Sequence, residues 1–452
     1  MSDSLHLRDI SKWTENRVPW QRIGKIVSTR GMVYEASIPR AVLGSHVEFE
    51  TEQGDRSLGE VVALQNGKCM VMPYHELSGI NSETKIYLKD IVTELKVSTA
   101  MLGRVLDFQG RPMDGKGPLE GTFETRSIYG QPMNPLDRPP IREPLDVGIK
   151  SINSFITAGK GQRLAIMAGS GVGKSVLMGM VARNTSADIN VIAMIGERGR
   201  EVLEFIQSDL GEEGLARSVV IVATSDTSAL IRMKAAYAAT TIAEYFRDQS
   251  KDVLLMMDSI TRFAMASREI SLSSGEAPGP KGYSPSVFAK LPKLMERAGT
   301  KAGAGTITGI YTVLVEGGDM DEPIADAVRS ISDGHIVLSR ELAARNHYPA
   351  IDVLQSVSRV MPKVSTREHK IVASHLRDLM AAYKQSEDLI TVGAYARGSN
   401  TKVDKAIAVI DDLNALLRQD VTEKLTINEL FDLMLEIARK AERAVDPSYP
   451  QG

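Results

Sequence analysis

Cysteine is almost missing from this chain: Cys69 is the only one in 452 residues. No internal disulfide can form, a reducing compartment is the expected setting, and Cys69 itself reads as a small core residue. No run of roughly 18 apolar residues appears, which argues against a membrane-spanning helix. The N-terminal stretch is polar and lacks the apolar region of a secretory leader. An excess of either charge is missing too. Lysine and arginine (54) nearly balance aspartate and glutamate (57), for a net charge of -3, so no global basic field is available for nucleic acid. These absences leave a cytoplasmic protein, long enough for two to four domains with ample buried core.

What is present centres on one stretch, Ala168-Gly169-Ser170-Gly171-Val172-Gly173-Lys174-Ser175, with Val176 opening the run that follows. It comes after the apolar Leu164-Ala165-Ile166-Met167 and leads into Leu177-Met178-Gly179-Met180-Val181-Ala182. The pattern reads as buried strand, tight loop and helix. Its glycines let successive backbone N–H groups turn toward one centre, and the helix adds its positive end, which makes a cradle for phosphates. Lys174 can reach the outer phosphates, and the Ser175 hydroxyl can ligate Mg²⁺. Ala168 stands where the strict pattern has glycine; that position only opens the turn.

Along the chain, the first segment spaces Leu7, Ile10 and Trp13 three apart. That is either a narrow amphipathic arm for a partner protein or a terminus that packs locally. From 24 to about 92, short β-rich runs such as His46-Val47-Glu48-Phe49-Glu50 and Lys85-Ile86-Tyr87-Leu88 alternate with glycine turns, as in a small barrel. Residues 107–144 are rich in glycine and proline and read as an ordered connector. From about 145 to 359, continuous apolar strands alternate with amphipathic helices, predicting a parallel sheet covered on both faces. The clearest strands are 164–167, 191–195, 219–223, 253–257, 307–315 and 335–338. Residues 366–386 and 402–445 read as helical. The expected division is an arm (1–23), a barrel (24–92), a nucleotide domain (93–365, with connector 93–150) and a C-terminal helical domain (366–452).

A phosphate loop alone indicates only a nucleotide. Asp258 closes the apolar run Val253-Leu254-Leu255-Met256-Met257, so its carboxylate is expected at the C-terminal edge of a strand beside the loop, where it can hold Mg²⁺. Glu197 ends another strand, in Ile195-Gly196-Glu197-Arg198-Gly199-Arg200-Glu201. A carboxylate there can orient a water and take its proton. Arg359 supplies a guanidinium that could neutralise charge on a transferring phosphoryl group, although its local sequence equally fits a structural ion pair. Tyr348, before Pro349, could stack on an adenine or simply pack.

Taken together, these residues resemble the hexameric rotary-ATPase family, and within it the flagellar and type III secretion export ATPases. The likeness runs from about 24 to 440, through Ala168–Ser175, Gly196–Glu201, Asp258–Arg262, Gly275–Tyr283, Ser286–Pro292, Ser332–Arg340 and Val392–Tyr395. It implies a β-barrel, a RecA-like P-loop domain and a helical domain, six to a homohexameric ring. It implies ATP and Mg²⁺, with Glu197 activating water, Arg198 nearby, and Ser175, Asp258 and Glu201 around the metal. Arg359 would reach a neighbouring subunit's site, Tyr348 and Tyr395 would flank the adenine, and the loop Ser273–Ser284 would face a central-stalk protein in the pore. Further implied partners are a regulator or peripheral-stalk protein at the N-terminal arm, an export gate at the inner membrane, and chaperone–substrate complexes. The expected function is to energise flagellar protein export from the cytoplasmic face of that membrane. The virulence secretion system and a proton-driven ATP synthase are alternatives. A nucleic-acid translocase is disfavoured, since the 24–92 region offers only Tyr34, Phe49, Tyr74 and Tyr87 for base stacking and carries mixed charge.

Overall fold

A computed structural model describes residues 23–89, 94–130, 133–315 and 318–445. Residues 1–22 of the proposed arm (1–23) and residues 446–452 lie outside the described residues, and Ile23 already opens the first barrel strand. Strands Ile23–Arg30, Val33–Ser37, Lys68–Pro73, Arg56–Gln65, His46–Glu50 and Lys85–Leu88 follow one another around a closed barrel. The alternation in His46–Glu50 explains the closure. Val47 and Phe49 point inward and are fully buried, while His46, Glu48 and Glu50 face outward. Cys69 is buried in this same core, and burial pushes its thiol pKa up.

A nine-stranded sheet forms the centre of the molecule. From one edge its order is Arg104–Leu106, Ser218–Ala223, Ile189–Ile195, Asp252–Asp258, Thr306–Leu314, Arg163–Ala168, Gly334–Leu338 and Ile351–Ser358, with Gly299–Thr300 paired beside it. Every residue of Ile189–Ile195 is buried, because this strand has sheet neighbours on both sides and helices on both faces. Each such Val, Ile, Leu or Met contributes about 1.5–3 kcal/mol relative to exposure. The sheet departs from the all-parallel expectation at its margins. Ile351–Ser358 runs antiparallel to Gly334–Leu338, and Gly299–Thr300 runs antiparallel to Thr306–Leu314.

The helix Ala229–Asp248, capped by the Ser228 hydroxyl, lies on this sheet and also joins it to the barrel. Lys234 of that helix is fully buried and ion-paired with Glu60 of the barrel. Tyr74 and Tyr129 donate hydroxyl hydrogen bonds to Glu60 at 3.0 and 3.2 Å, and the lysine stands over both rings. Buried charge is tolerable only with such complete pairing. In the connector, Glu94–Val97 pairs with Glu124–Ser127. The C-terminal helices are Arg367–Thr391, Thr401–Leu417 and Ile427–Arg443. The stretch read as one helical segment from 402 to 445 is therefore broken, and its second helix restarts at a capping box of Thr426 and Glu429.

Candidate active site

Strand Arg163–Ala168 ends between Thr306–Leu314 and Gly334–Leu338, and the phosphate loop begins at that end. Gly171 and Gly173 adopt φ of +77° and +84°, a region that disfavours any residue with a Cβ. Gly173 is the N-cap of helix Lys174–Asn184, and no side chain caps that helix. Its first N–H groups are therefore free to face an anion. Val172 is buried and anchors the loop, Ser170 and Gly171 are exposed, and Ser175 lies in the first turn of the helix.

Three strand ends meet over the loop. Asp258 ends Asp252–Asp258 and is 2% exposed. Its Oδ1 is ion-paired with the Lys174 ammonium and accepts a hydrogen bond from the Thr312 hydroxyl at 2.7 Å. The same ammonium lies 3.6 Å from Oε1 of Glu197, just past Ile189–Ile195. The structure thus brings Lys174, Asp258 and Glu197 into one cluster at the C-terminal edge of a largely parallel sheet. Burial is the largest influence on Glu197 and raises its carboxyl pKa; Lys174 opposes this, while Asp258 and Glu201 add to it, and the result is about 7.

That shift has a stability consequence. The folded carboxyl keeps its proton where an unfolded glutamate near 4.5 has lost it, so this group's contribution is full below about 4.5 and disappears as pH rises through 7. Glu197→Gln removes the ionisation and keeps the shape. It is expected to raise the melting temperature at pH 8, with a gain of about 1–3 kcal/mol, and to lose most of that advantage toward pH 5. Thermal melts of both proteins across this range measure the gap. A gap independent of pH would mean that Glu197 titrates as an ordinary surface glutamate.

The remaining expected residues are distributed around this cluster. Arg198 and Glu201 are exposed, with Arg198 Nη1 3.4 Å from Glu201 Oε1. Tyr348 is 42% exposed, and its ring lies beside the loop, 3.5 Å from where a Cβ on Gly173 would stand. Tyr395 lies in the segment between helices Arg367–Thr391 and Thr401–Leu417, its hydroxyl donating to Asn400 O at 3.0 Å and Asp404 Oδ1 at 3.1 Å. Arg359 is exposed at the end of the antiparallel edge strand; its N–H donates to Asp333 O at 2.9 Å. Ser273–Ser284 closes on itself through the Gly279 N–H to Tyr283 O bond at 2.9 Å, with the Tyr283 ring buried under Arg268.

Sequence reasoning missed Thr312, whose role depends on a register between distant strands. It also passed over Arg262, on the helix that follows Asp258. The stem of Arg262 packs within 3.0 Å of where a Cβ on Gly196 would stand, and its Nε is buried. Its position in the run that starts at Asp258 was the available signal.

Comparisons with known proteins agree with this geometry. Residues 148–358 match the nucleotide-binding domain of the ATP synthase alpha/beta family. Residues 365–436 match the C-terminal domain of the type III secretion ATPase EscN. The chain is 50% identical to the flagellum-specific ATP synthase of Bacillus subtilis, covering 91% of this chain and 94% of that protein. It is 45% identical to the type 3 secretion system ATPase of Xanthomonas euvesicatoria, over 93% and 95% of the two chains. Among solved structures, it superposes on the assembled ATPase EscN of enteropathogenic Escherichia coli with a TM-score of 0.87 and 44% identity, covering 92% of this chain and all of that one. EscN has also been solved in complex with its central stalk, EscO. The chain belongs to the flagellum-specific ATP synthase and type III secretion ATPase branch of the ATP synthase alpha/beta family, and it is an ATP hydrolase.

Proposed function

We propose that the chain hydrolyses MgATP at the interfaces of a homohexameric ring and thereby energises flagellar protein export. The observation that carries the interface reading is a register. Ala168, before the phosphate loop, pairs with Leu338, whereas Arg359 follows Ser358, which pairs with Gly334 at the far end of the same strand. At about 3.3 Å per residue, the arginine sits on the order of 15 Å from its own loop, at the opposite edge of the sheet. An arginine that serves a phosphoryl group from there serves a neighbour's. Glu197 would then take a proton from the attacking water as the γ-phosphorus–oxygen bond to ADP breaks, and Lys174 would hold the phosphates.

The residues present fit magnesium. Among the described residues no cluster of three or more acidic, histidine or cysteine side chains could hold a metal unaided. Mg²⁺ is commonly bound through one or two carboxylates together with substrate phosphates. The Ser175 hydroxyl and Asp258 would hold the ion, with Glu201 supporting its water shell. When bound, the ion supplies charge neutralisation on the phosphate oxygens.

The division into arm, barrel, nucleotide domain and helical domain, at 24, 93 and 366, fits this reading. So do Tyr348 at the adenine and, from the helical domain, Tyr395. The EscN–EscO complex supports a central stalk in the pore, against the Ser273–Ser284 loop. A regulator at the arm, the membrane export gate and chaperone–substrate complexes complete the partner set. No helix among the described residues is long and apolar enough to cross a membrane, so attachment would be peripheral. The flagellar reading draws on the 50% identity to the Bacillus flagellar relative, and the 45% identity to the Xanthomonas secretion relative keeps virulence secretion as the alternative.

A Lys174→Ala strain tests the cellular role. It is expected to lose swimming and the release of flagellar subunits into the medium. Unchanged motility with lost effector secretion would assign the virulence system instead. Unchanged export of both kinds would remove the export role.

A further inference from the structure

We propose that Arg340 is a positioning residue for the phosphate loop, its guanidinium lying across Gly169 and fixing the loop's first turn. The strand pairing brings the two together. Ala168 pairs with Leu338 in parallel register, so Gly169 and the Ser339-Arg340 pair leave adjacent strands side by side. A Cβ on Gly169 would stand 2.8 Å from Arg340 Nε and 2.9 Å from Nη2, closer than real Cβ atoms approach a neighbour. Gly169 is not among the glycines with positive φ, unlike Gly171 and Gly173, so backbone conformation does not require a glycine there. What a Cβ there would displace is the Arg340 guanidinium, the far end of a long side chain. Gly171, by contrast, has nothing within 4 Å of its missing Cβ.

The Arg340 side chain is exposed, and it is the backbone beside it that is held. The Ser339 hydroxyl accepts from the Leu342 N–H at 3.3 Å, and the Ser339 N–H donates to Ala350 O at 2.8 Å, which closes the segment 339–350 into a loop. That segment touches the phosphate loop at both ends, through Arg340 on Gly169 and Tyr348 beside Gly173. It is also tied to the C-terminal helices. Arg345 pairs with Glu387 at 3.0 Å, Lys384 with Glu341 at 3.1 Å, and Tyr348 O accepts from the Gln419 N–H at 2.9 Å. A shift of the helical domain therefore bears on the loop through this segment, and Arg340 is its point of contact at the first turn.

The inference rests on the ATPase reading of the loop, and wild-type turnover is the control that keeps the two apart. The experiment is a cycle of Gly169→Ala, Arg340→Ala and the double variant, with KM for ATP, kcat and melting temperature measured on the full chain. Gly169→Ala crowds the guanidinium and is expected to raise KM about tenfold, with kcat changing less. Arg340→Ala is expected to raise KM several-fold. In the double variant the crowding is gone, so KM should be no worse than in Arg340→Ala alone. Arg340→Lys, which retains the charge and the stem, should fall between wild type and Arg340→Ala. Additive single effects, or an Arg340→Ala protein with a lower melting temperature and unchanged KM, would overturn the proposal.

Discussion

Glu197→Gln is expected to keep ATP binding and to lower kcat about 10²- to 10⁴-fold. The expectation follows from where the carboxylate is and what surrounds it. Its Oε1 is 3.6 Å from the Lys174 ammonium, which in turn is paired with Asp258, so the group sits at the phosphate end of the site. Burial and neighbouring carboxylates bring its pKa to about 7, where a base both accepts a proton readily and is substantially ionised at cellular pH. Glutamine retains the volume and can still hydrogen-bond a water, but it cannot take the proton. On the proposed reading nucleotide binding relies on other groups, the N–H cradle and Lys174, so titration with a fluorescent ATP analogue should give nearly the wild-type Kd. Lys174→Ala is the contrasting variant, losing binding and turnover together. A Glu197→Gln enzyme with turnover within tenfold of wild type would remove the carboxylate from the proton-accepting role.

Much of this site is legible without coordinates, for a physical reason. Central parallel strands are buried on both faces, so they read as continuous apolar runs, and the polar residue that ends each run marks the sheet edge where ligands bind. Asp258 and Glu197 are found this way, and the barrel strands emerge as short β-rich runs between glycine turns, although only some of them, such as His46–Glu50, alternate cleanly. The margins are harder. Ile351–Ser358 is an edge strand carrying Asp352, Gln355, Ser356 and Ser358, and its half-exposed pattern resembles a loop. Arg104–Leu106 is too short to show a period at all. Thr312 lies in a buried strand that also carries Thr308 and Tyr311, and only register singles it out by placing it against Asp258. The Glu60–Lys234 pair gives no sequence signal either, since each residue by itself reads as an ordinary surface charge.

Register also gives Arg359 its strongest test. Arg359→Ala is expected to bind ATP normally and to lose about 10³-fold or more in turnover, the usual consequence of removing an arginine finger. That result alone would not distinguish a residue acting on its own site from one acting on a neighbour's. Mixing two dead variants does. Glu197→Gln supplies an intact Arg359 with a dead site, and Arg359→Ala supplies an intact site without its arginine. If the guanidinium acts across a head-to-tail interface, random mixed rings rebuild complete sites wherever the two kinds meet in the right order. In an equal mixture that is about a quarter of interfaces, and turnover should rise from near zero toward that fraction. Native mass spectrometry of the mixture checks that mixed rings have formed. If mixed rings form and stay inactive at every ratio, the arginine serves its own subunit. The sheet would then have to bend far enough to bring Asp333 and Gly169 together, two positions that the pairing of Gly334–Leu338 with Arg163–Ala168 holds at opposite ends.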